Sequence, residues 1–477
     1  MQTKPYKENA VEITLKEILD ARENRAKLQK SLLSRGFPII SFSMNIAGPK
    51  KTSPSIERAF YEGRRMLEGE ISRLGIKYIH EEITPTGCEA MYCVDTDKNL
   101  LKDICVQIEE ASRLGRLFDF DVIGTDGAKL ERKNPRACLI CGKAGRECAA
   151  SRAHSVEELQ KETAKIICDY FLLRDAEYFS VLAKDSLLRE LYTTPKPGLV
   201  DRKNNGSHPD MSLSLFEKSA DTLTPYFFDC FTLGANNKEF SLLRKRGIKA
   251  EEEMKMATGG KNTHKGAIFC FGVLLYSLGQ LWREDAPIPH IDTLLEKCAE
   301  VSKSTLCDFC DGKTDTAGKR LFAEKQIKGV RGEASEGFPS VKNISLPQYE
   351  KAIENGFSEN EAGILALLSL IAEIDDTTLY KRGGEEGVAF ARKGATELLS
   401  KQKDQIKEIS ESPNEAISTS QNKATDKKTA VSYLLHGAQE LDGEFISRNL
   451  SVGGCADLLA VTYFLHTLKN RYNQKRD

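Results

Sequence analysis

The sequence predicts a multidomain protein, with an α+β domain at the N-terminus followed by a larger all-α domain. Three observations carry this. The chain has 477 residues, more than one core holds at roughly 150 residues per domain. Before about residue 150, apolar residues recur with both helical and period-two spacing. Beyond about residue 155, period-two alternation nearly vanishes, and apolar helical stretches alternate with Gly-rich polar loops. Hydrophobic residues make up 40% and charged residues 29%, the balance of a globular rather than a disordered chain.

Taken in order, TLKE, with Thr14 and Glu17, has the pattern of a capping box. Leu15, Ile18, Leu19, Leu28 and Leu32 then suit one face of a helix. Ile40, Phe42, Met44 and Ile46 alternate with Ser41, Ser43 and Asn45, as in a strand, and NIAGPKK (45–51) ends it in a Gly-Pro turn. Segments 90–94, 104–108 and 115–123 are further expected strands. Residues 156–191 read as one or two long helices. Helices are also expected at 266–281, 288–301, 359–374, 430–445 and 454–468. The polar, Ser- and Lys-rich stretch 400–428 reads as a surface connection or an exposed helix. The expected domains are 1–172 and 173–477.

Charge and cysteine usage narrow the class. Lys+Arg is 69 and Asp+Glu 70, a net charge of -1, which argues against general affinity for nucleic acid or acidic membranes. No run approaches the roughly 18–20 apolar residues that span a bilayer, and MQTKPYKENA at the N-terminus lacks the apolar centre of a signal peptide. The 13 cysteines are odd in number and scattered, as suits a reducing compartment. The cytoplasm is the expected location.

The first candidate site is GRLFDFDV (115–122). Asp119 and Asp121 are two residues apart, so on a strand both carboxylates leave one face while Phe118, Phe120 and Val122 face the core. Paired carboxylates repel unless a cation joins them, and Mg²⁺ carrying a polyphosphate is the usual partner. A water-facing strand edge is the plainer alternative. Cys138, Cys141, Cys148 and His154 follow, a CxxC with a further Cys and His. They read either as a tetrahedral Zn²⁺ set or as free thiols.

NIAGPKK, TPTGCEA (84–90), GRLFDFDV, RACLIC and SRAHSVEEL resemble, in order and spacing, the citrate lyase holo-acyl-carrier-protein synthase family, the apo-citrate lyase phosphoribosyl-dephospho-CoA transferases. The resemblance implies a nucleotidyltransferase-like fold, with Asp119 and Asp121 holding Mg²⁺. It also implies transfer of a phosphoribosyl-dephospho-CoA group to a serine of the citrate lyase acyl carrier protein. Arg116 and Arg136 are candidate phosphate contacts, since guanidinium matches phosphate oxygens. Ala150 departs from the arginine usual in that family.

The helical part carries five Gly-rich polar turns. YTTPKPGLVDRKNNGSHPDM (192–211) gathers Lys196, Asp201, Arg202, His208 and Asp210. ATGGKNTHKG (257–266) places Gly259, Gly260, Lys261, His264 and Lys265 before an apolar helix, a phosphate cradle in form; the plainer reading is a turn capped by Thr263. KGVRGEASEGFP (328–339) sets Arg331 beside Glu333. IDDTTLYKRGG (374–384) sets Asp375 and Asp376 at a helix end, with Arg382 beyond. NLSVGGCADLLA (449–460) puts Gly453 and Gly454 at a helix entry and Asp457 in its first turn. Together the five suggest one shared polyanion pocket.

These motifs resemble the triphosphoribosyl-dephospho-CoA synthase family, with SVGG in place of its usual SPGG and DDTT where it tends to have DTN. The resemblance implies an all-α domain that joins ATP to 3'-dephospho-CoA and releases adenine, the product being the donor for the first domain. Asp201, Glu333, Asp376 and Asp457 are the candidate acid, base and cation-stabilising groups. Lys196, Arg202, His208, Lys261, His264, Lys265 and Arg331 are candidate phosphate or substrate contacts. Two other readings stay open: a nucleotidyltransferase that adenylylates a carrier protein, and a non-enzymatic, nucleotide-regulated maturation factor. The malonate decarboxylase counterpart of this pathway also resembles the second domain.

Overall fold

A computed structural model describes residues 13–305, 317–410 and 420–474. MQTKPYKENA and part of 400–428 lie outside the described residues. The chain divides into two compact units: Met1–Arg174 with Arg283–Ala286, and Asp175–Trp282 with Pro287–Asp477.

The first unit begins with α1 (Leu15–Leu33), whose capping box is formed as its sequence requires, Glu17 N–H reaching Thr14 Oγ1. Leu15 and Leu19 are exposed and Leu32 is buried, so only the C-terminal part of the apolar stripe enters the core. Next come β1 (Ile39–Met44), α2 (Pro54–Ile71), β2 (Ile76–Thr84), β3 (Gly87–Val94), α3 (Lys98–Glu110) and, after a short 3₁₀ turn, β4 (Phe118–Ile123). The strands form one antiparallel sheet in the order β2-β3-β1-β4. α4 (Gly145–Ala150) and the first half of α5 (Val156–Tyr192) complete the unit.

Segment 104–108, read as a strand, is part of α3. Asp97 caps that helix, accepting from the backbone of Asn99 and Leu100, and Leu101, Cys105 and Ile108 bury one helical face. Five residues of local alternation could not reveal that longer period. The sequence reading also passed over α2 and β2.

The two faces of the sheet differ. Phe42, Phe118 and Phe120 pack with Phe60 of α2 beneath, the Phe42 ring centroid 4.3 Å from Phe120 and 5.0 Å from Phe60. The opposite face carries Ile39, Met91, Cys93 and Ile123 under Leu28 and Leu32 of α1, and then turns polar. There Ser41 pairs with Asp121, and Ser43 with both Asp119 and Glu89.

The described residues of the second unit form helices joined by loops, with no strand among them. After the last half of α5 come α6 (Leu213–Ala235), α7 (Phe240–Ala257), α8 (Lys265–Leu281), α9 (Ile291–Ser302), α10 (Ala317–Lys325), α11 (Gly329–Ser335), α12 (Leu346–Glu354), α13 (Glu359–Glu373), α14 (Thr377–Ser410), α15 (Ser420–Ser447) and α16 (Gly453–Gln474). α8 and α13 are apolar almost all round and almost wholly buried, as central helices must be. α6 crosses α8 backbone to backbone: a Cβ at Gly234 would sit 2.0 Å from Tyr276 O, and one at Gly279 would sit 2.1 Å from Phe231 O. Among the described residues no helix is long and apolar enough to cross a membrane.

Candidate functional sites

In the first unit, β4 delivers Asp119 and Asp121 to one face, as its period dictates. Both line a cavity of about 1000 Å³ with Arg116, Lys102, Lys129, Arg132 and Arg136. Lys129 Nζ lies 2.6 Å from Asp121 Oδ1, and Arg136 Nη2 lies 3.6 Å from Asp119 Oδ1. Arg25 of α1 pairs with Glu89 on the same face.

The arginine wall is set by a carboxylate the sequence reading missed. Glu109, at the end of α3, is 2% exposed and accepts from Phe120 N–H at 2.9 Å. It pairs with Arg136, and Arg132 lies 3.6 Å away. Burial raises the Glu109 pKa, against the pull of Arg136 and Arg132. Burial and the charges of Arg136 and Arg132 lower the pKa of Arg116. Three guanidinium groups crowded on one wall repel one another, and an anion between them relieves that cost. Glu109 carried no local signal, because only the packing of α3 on β4 brings it there.

In the second unit the five turns do not share one cavity. α11, read as a Gly-rich turn, is a short helix that separates two. On one side Gly329, Gly332 and Glu333 line a cavity of about 380 Å³ with Lys328, Glu336, Ser340, Glu373, Asp375, Asp376 and Gly454. Five carboxylates against one lysine make this cavity acidic. On the other side Arg331 joins Arg244, Lys265, Glu251, Gly266, Phe269 and Gly272 around about 300 Å³. Val330 lines both.

Glu333 accepts twice from Ser340, at 2.6 Å from Oγ and 3.2 Å from N–H. Burial raises its pKa, Ser340 opposes this, and Glu336 adds to it. Asp376 is the N-terminal cap of α14, accepting from Thr378, Leu379 and Cys455 N–H at 2.7, 3.0 and 2.9 Å; burial raises its pKa despite those bonds. A Cβ at Gly454 would sit 2.9 Å from its Oδ2, and Gly453 lies beside Thr378.

Asp457 falls in the second turn of α16, not the first, because that helix begins at Gly453. Its Oδ2 lies where a Cβ on Gly266 would come within 1.9 Å, so only glycine admits it. It accepts from Ala267 N–H, while burial, Glu190 and Asp376 push its pKa well up. The entry of α8, read as a phosphate cradle, thus receives a carboxylate. Gly259 and Gly260 close α7, Gly260 N–H donating to Lys255 O at 2.7 Å. Thr263 does not cap α8; its hydroxyl donates to Ser219. Lys265 Nζ lies 2.9 Å from Glu251, and Lys261 Nζ lies 2.6 Å from Asp210.

The 192–211 loop contributes to neither cavity. Lys196 is 1% exposed and salt-bridged to Glu190, a partner the sequence reading did not single out. Asp201 folds its own turn, accepting from Lys196, Lys203 and Asn204 N–H at 3.0, 2.7 and 3.1 Å. Arg202 stacks over Tyr192, 4.4 Å from the ring centroid.

His208 faces Ser451 Oγ at 2.8 Å and Arg382 Nη2 at 3.1 Å; burial and then Arg382 pull its pKa down to about 4. His264 is buried against Ser219 Oγ at 2.7 Å, and burial and Lys196 pull it down to about 3. Both rings are held neutral, whereas an unfolded imidazole takes a proton near 6.5. Their contribution to stability is therefore complete above about pH 6.5 and is lost as pH falls toward 4. Melting curves between pH 7 and pH 4.5 should show this loss, and His208→Gln with His264→Gln should flatten it.

A family described as apo-citrate lyase phosphoribosyl-dephospho-CoA transferase matches residues 13–170, and one described as ATP:dephospho-CoA triphosphoribosyl transferase matches residues 176–476. Protein CitXG of Haemophilus influenzae is 32% identical over 476 residues, covering 95% of this chain and 96% of that protein. Protein CitXG of Leuconostoc mesenteroides is 32% identical over 497 residues, covering 97% and 99%. The 2-(5''-triphosphoribosyl)-3'-dephosphocoenzyme-A synthase of Haemophilus ducreyi is 34% identical over 354 residues, covering 69% of this chain and 99% of that protein.

Proposed function

The chain belongs to the CitXG family, an apo-citrate lyase phosphoribosyl-dephospho-CoA transferase joined to an ATP:dephospho-CoA triphosphoribosyl transferase, and on that premise we propose that it both makes and attaches the citrate lyase prosthetic group. It is a bifunctional transferase. The second unit joins ATP to 3'-dephospho-CoA, forming 2'-(5''-triphosphoribosyl)-3'-dephospho-CoA and freeing adenine. The first transfers the phosphoribosyl-dephospho-CoA group to a serine of the citrate lyase acyl carrier protein and frees diphosphate. The observation that carries this reading is that each unit has its own charged cavities, that of the first unit pairing two strand carboxylates with an arginine wall.

For the transfer, the carrier serine oxygen bonds to the phosphorus beside the ribose as the bond to diphosphate breaks. Such chemistry is mostly positioning and charge neutralisation. Arg116, Arg132 and Arg136 hold the phosphate oxygens. Asp119 and Asp121 suit Mg²⁺: each already sits beside a cationic side chain, Arg136 and Lys129, whose place a divalent ion can take. Bound there, the ion would neutralise the diphosphate. We read this unit as nucleotidyltransferase-like, supported by the DxD pair on a sheet backed by α2 and α3.

For the synthesis, the 2'-hydroxyl of dephospho-CoA bonds to the ribose C1' of ATP while the bond to adenine breaks. Its proton goes to a base, and the departing adenine takes one from an acid. Glu333, lining the acidic cavity with a raised pKa, suits the base. Asp457, whose pKa is pushed up by burial and by the charges of Glu190 and Asp376, is the candidate acid. Arg331, Arg244 and Lys265, in the basic cavity on the other side of α11, suit the triphosphate, which survives the reaction; ATP would then reach both cavities past Val330, which lines each. The cytoplasm is the proposed location, supported by the free state of the eleven described cysteines.

The test is reconstitution. With ATP, dephospho-CoA and apo carrier, the purified protein should free adenine and add the group's mass to one serine peptide. Absence of both would overturn the reading, and an added AMP mass without dephospho-CoA would favour adenylylation.

A further inference from the structure

We propose that Cys138, Cys141, Cys148 and His154 form a structural zinc site that staples segment 129–155 to the wall of the transferase cavity. Their ligand atoms all lie within 4.8 Å of one another, and Cys141 Sγ is 3.4 Å from Cys148 Sγ. A tetrahedron with Zn–S bonds of ~2.3 Å has edges of about 3.8 Å, so small shifts close the set around one ion.

The backbone is built for it. Ala137 pairs with Ala144 in an antiparallel bridge. Within that bridge Cys138 N–H donates to Lys143 O at 2.6 Å, and Gly142 N–H to Cys138 O at 3.2 Å. Gly142 takes φ +73°, a left-handed turn directly after Cys141 that a side chain would strain. α4 then presents Cys148, and Ala153 N–H returns to Cys148 O at 3.0 Å, bringing His154 into the group. A second observation points to a ligand. His154 Nε2 is buried and has no hydrogen-bond partner, a costly state that an incoming partner would repair.

Three thiolates and one imidazole fill a tetrahedral zinc sphere and leave no open position, so the ion would support the structure. What it supports follows from the same backbone. Arg116 donates to Ala137 O, and Gly145 N–H donates to Arg136 O at 2.9 Å. Arg116 and Arg136, two of the arginines that line the cavity, are thus tied to the Cys138–Cys141 turn. Cys138, Cys148 and His154 themselves line the cavity beside Asp119 and Asp121.

The test is metal content of the full-length protein, purified under reducing conditions without chelator. Plasma mass spectrometry should find about one zinc per chain. Cys141→Ser and Cys148→Ser should each lose most of it, whereas Cys148→His and His154→Cys, which keep four competent ligands, should retain it. Exchange with cobalt should give a thiolate charge-transfer band and the visible bands of a tetrahedral ion. These are read on the wild type, so a serine variant that fails to fold leaves the test intact. Zinc content near zero with all thiols reduced would overturn the proposal, as would a Cys141–Cys148 disulfide in the native protein.

Discussion

Replacing Asp121 by Asn should slow carrier modification by at least ~10²-fold while leaving adenine release within about twofold of the wild type. Asp119→Asn should do the same. Each change keeps the side-chain volume and removes one of the two charges that β4 projects into the cavity. Asp121 then loses its attraction for Lys129, 2.6 Å away, and Asp119 loses that for Arg136. Neither carboxylate belongs to the buried phenylalanine face, so melting temperature should change little. The measurement is paired: carrier mass by mass spectrometry, and free adenine by chromatography in the same mixture. The triphosphate precursor should accumulate. Wild-type modification rates in both variants would remove these carboxylates from the chemistry, and equal loss of adenine release would show that the variant had damaged more than the first site.

The second large effect belongs to the other reaction. Glu333→Gln should lower adenine release by ~10²–10⁴-fold, the range for losing a positioned base, and should leave transfer of pre-formed donor to the carrier intact. Its pH profile is the sharper reading. A base must be ionised to work, so activity rises as pH climbs through its pKa. Burial has raised that pKa, so the acid limb of kcat/KM should lie above the ordinary carboxylate range. Ser340 donates two hydrogen bonds that favour the ionised form. Ser340→Ala should therefore move the same limb to still higher pH. A limb unmoved by Ser340→Ala, and persisting in Glu333→Gln, would assign it to another group, Asp376 or Asp457.

Much of the fold was legible because it rests on local rules. The capping box at Thr14, the alternation of β1 and β4, and the long helix after residue 155 all follow from spacing within one element. The failures were local as well. Segment 104–108 looked like a strand because its alternation is short, whereas the helix around it is fixed by Asp97 and by burial at Leu101, Cys105 and Ile108. The edge strand β2 was missed because its exposed polar positions weaken the signal. In the sites, Asp119 and Asp121 were found because two residues on one strand must share a face. Glu109, Glu190, Arg132 and Lys328 were not found, since no spacing along the chain announces a partner from another element.

By itself the sequence determined that a mixed α and β part precedes a helical one, and that Asp119 and Asp121 share one strand face, because each depends on residue types a few positions apart. Only the tertiary structure decided which of those motifs meet. It divided the supposed single polyanion pocket into an acidic and a basic cavity on either side of α11, turned Asp201 inward to its own loop, and paired Lys196 with Glu190 of α5. It also placed the Asp457 carboxylate on the entry of α8. The reason is physical. A charged side chain takes the nearest partner that compensates its desolvation, and that partner is chosen by packing in three dimensions, not by distance along the chain.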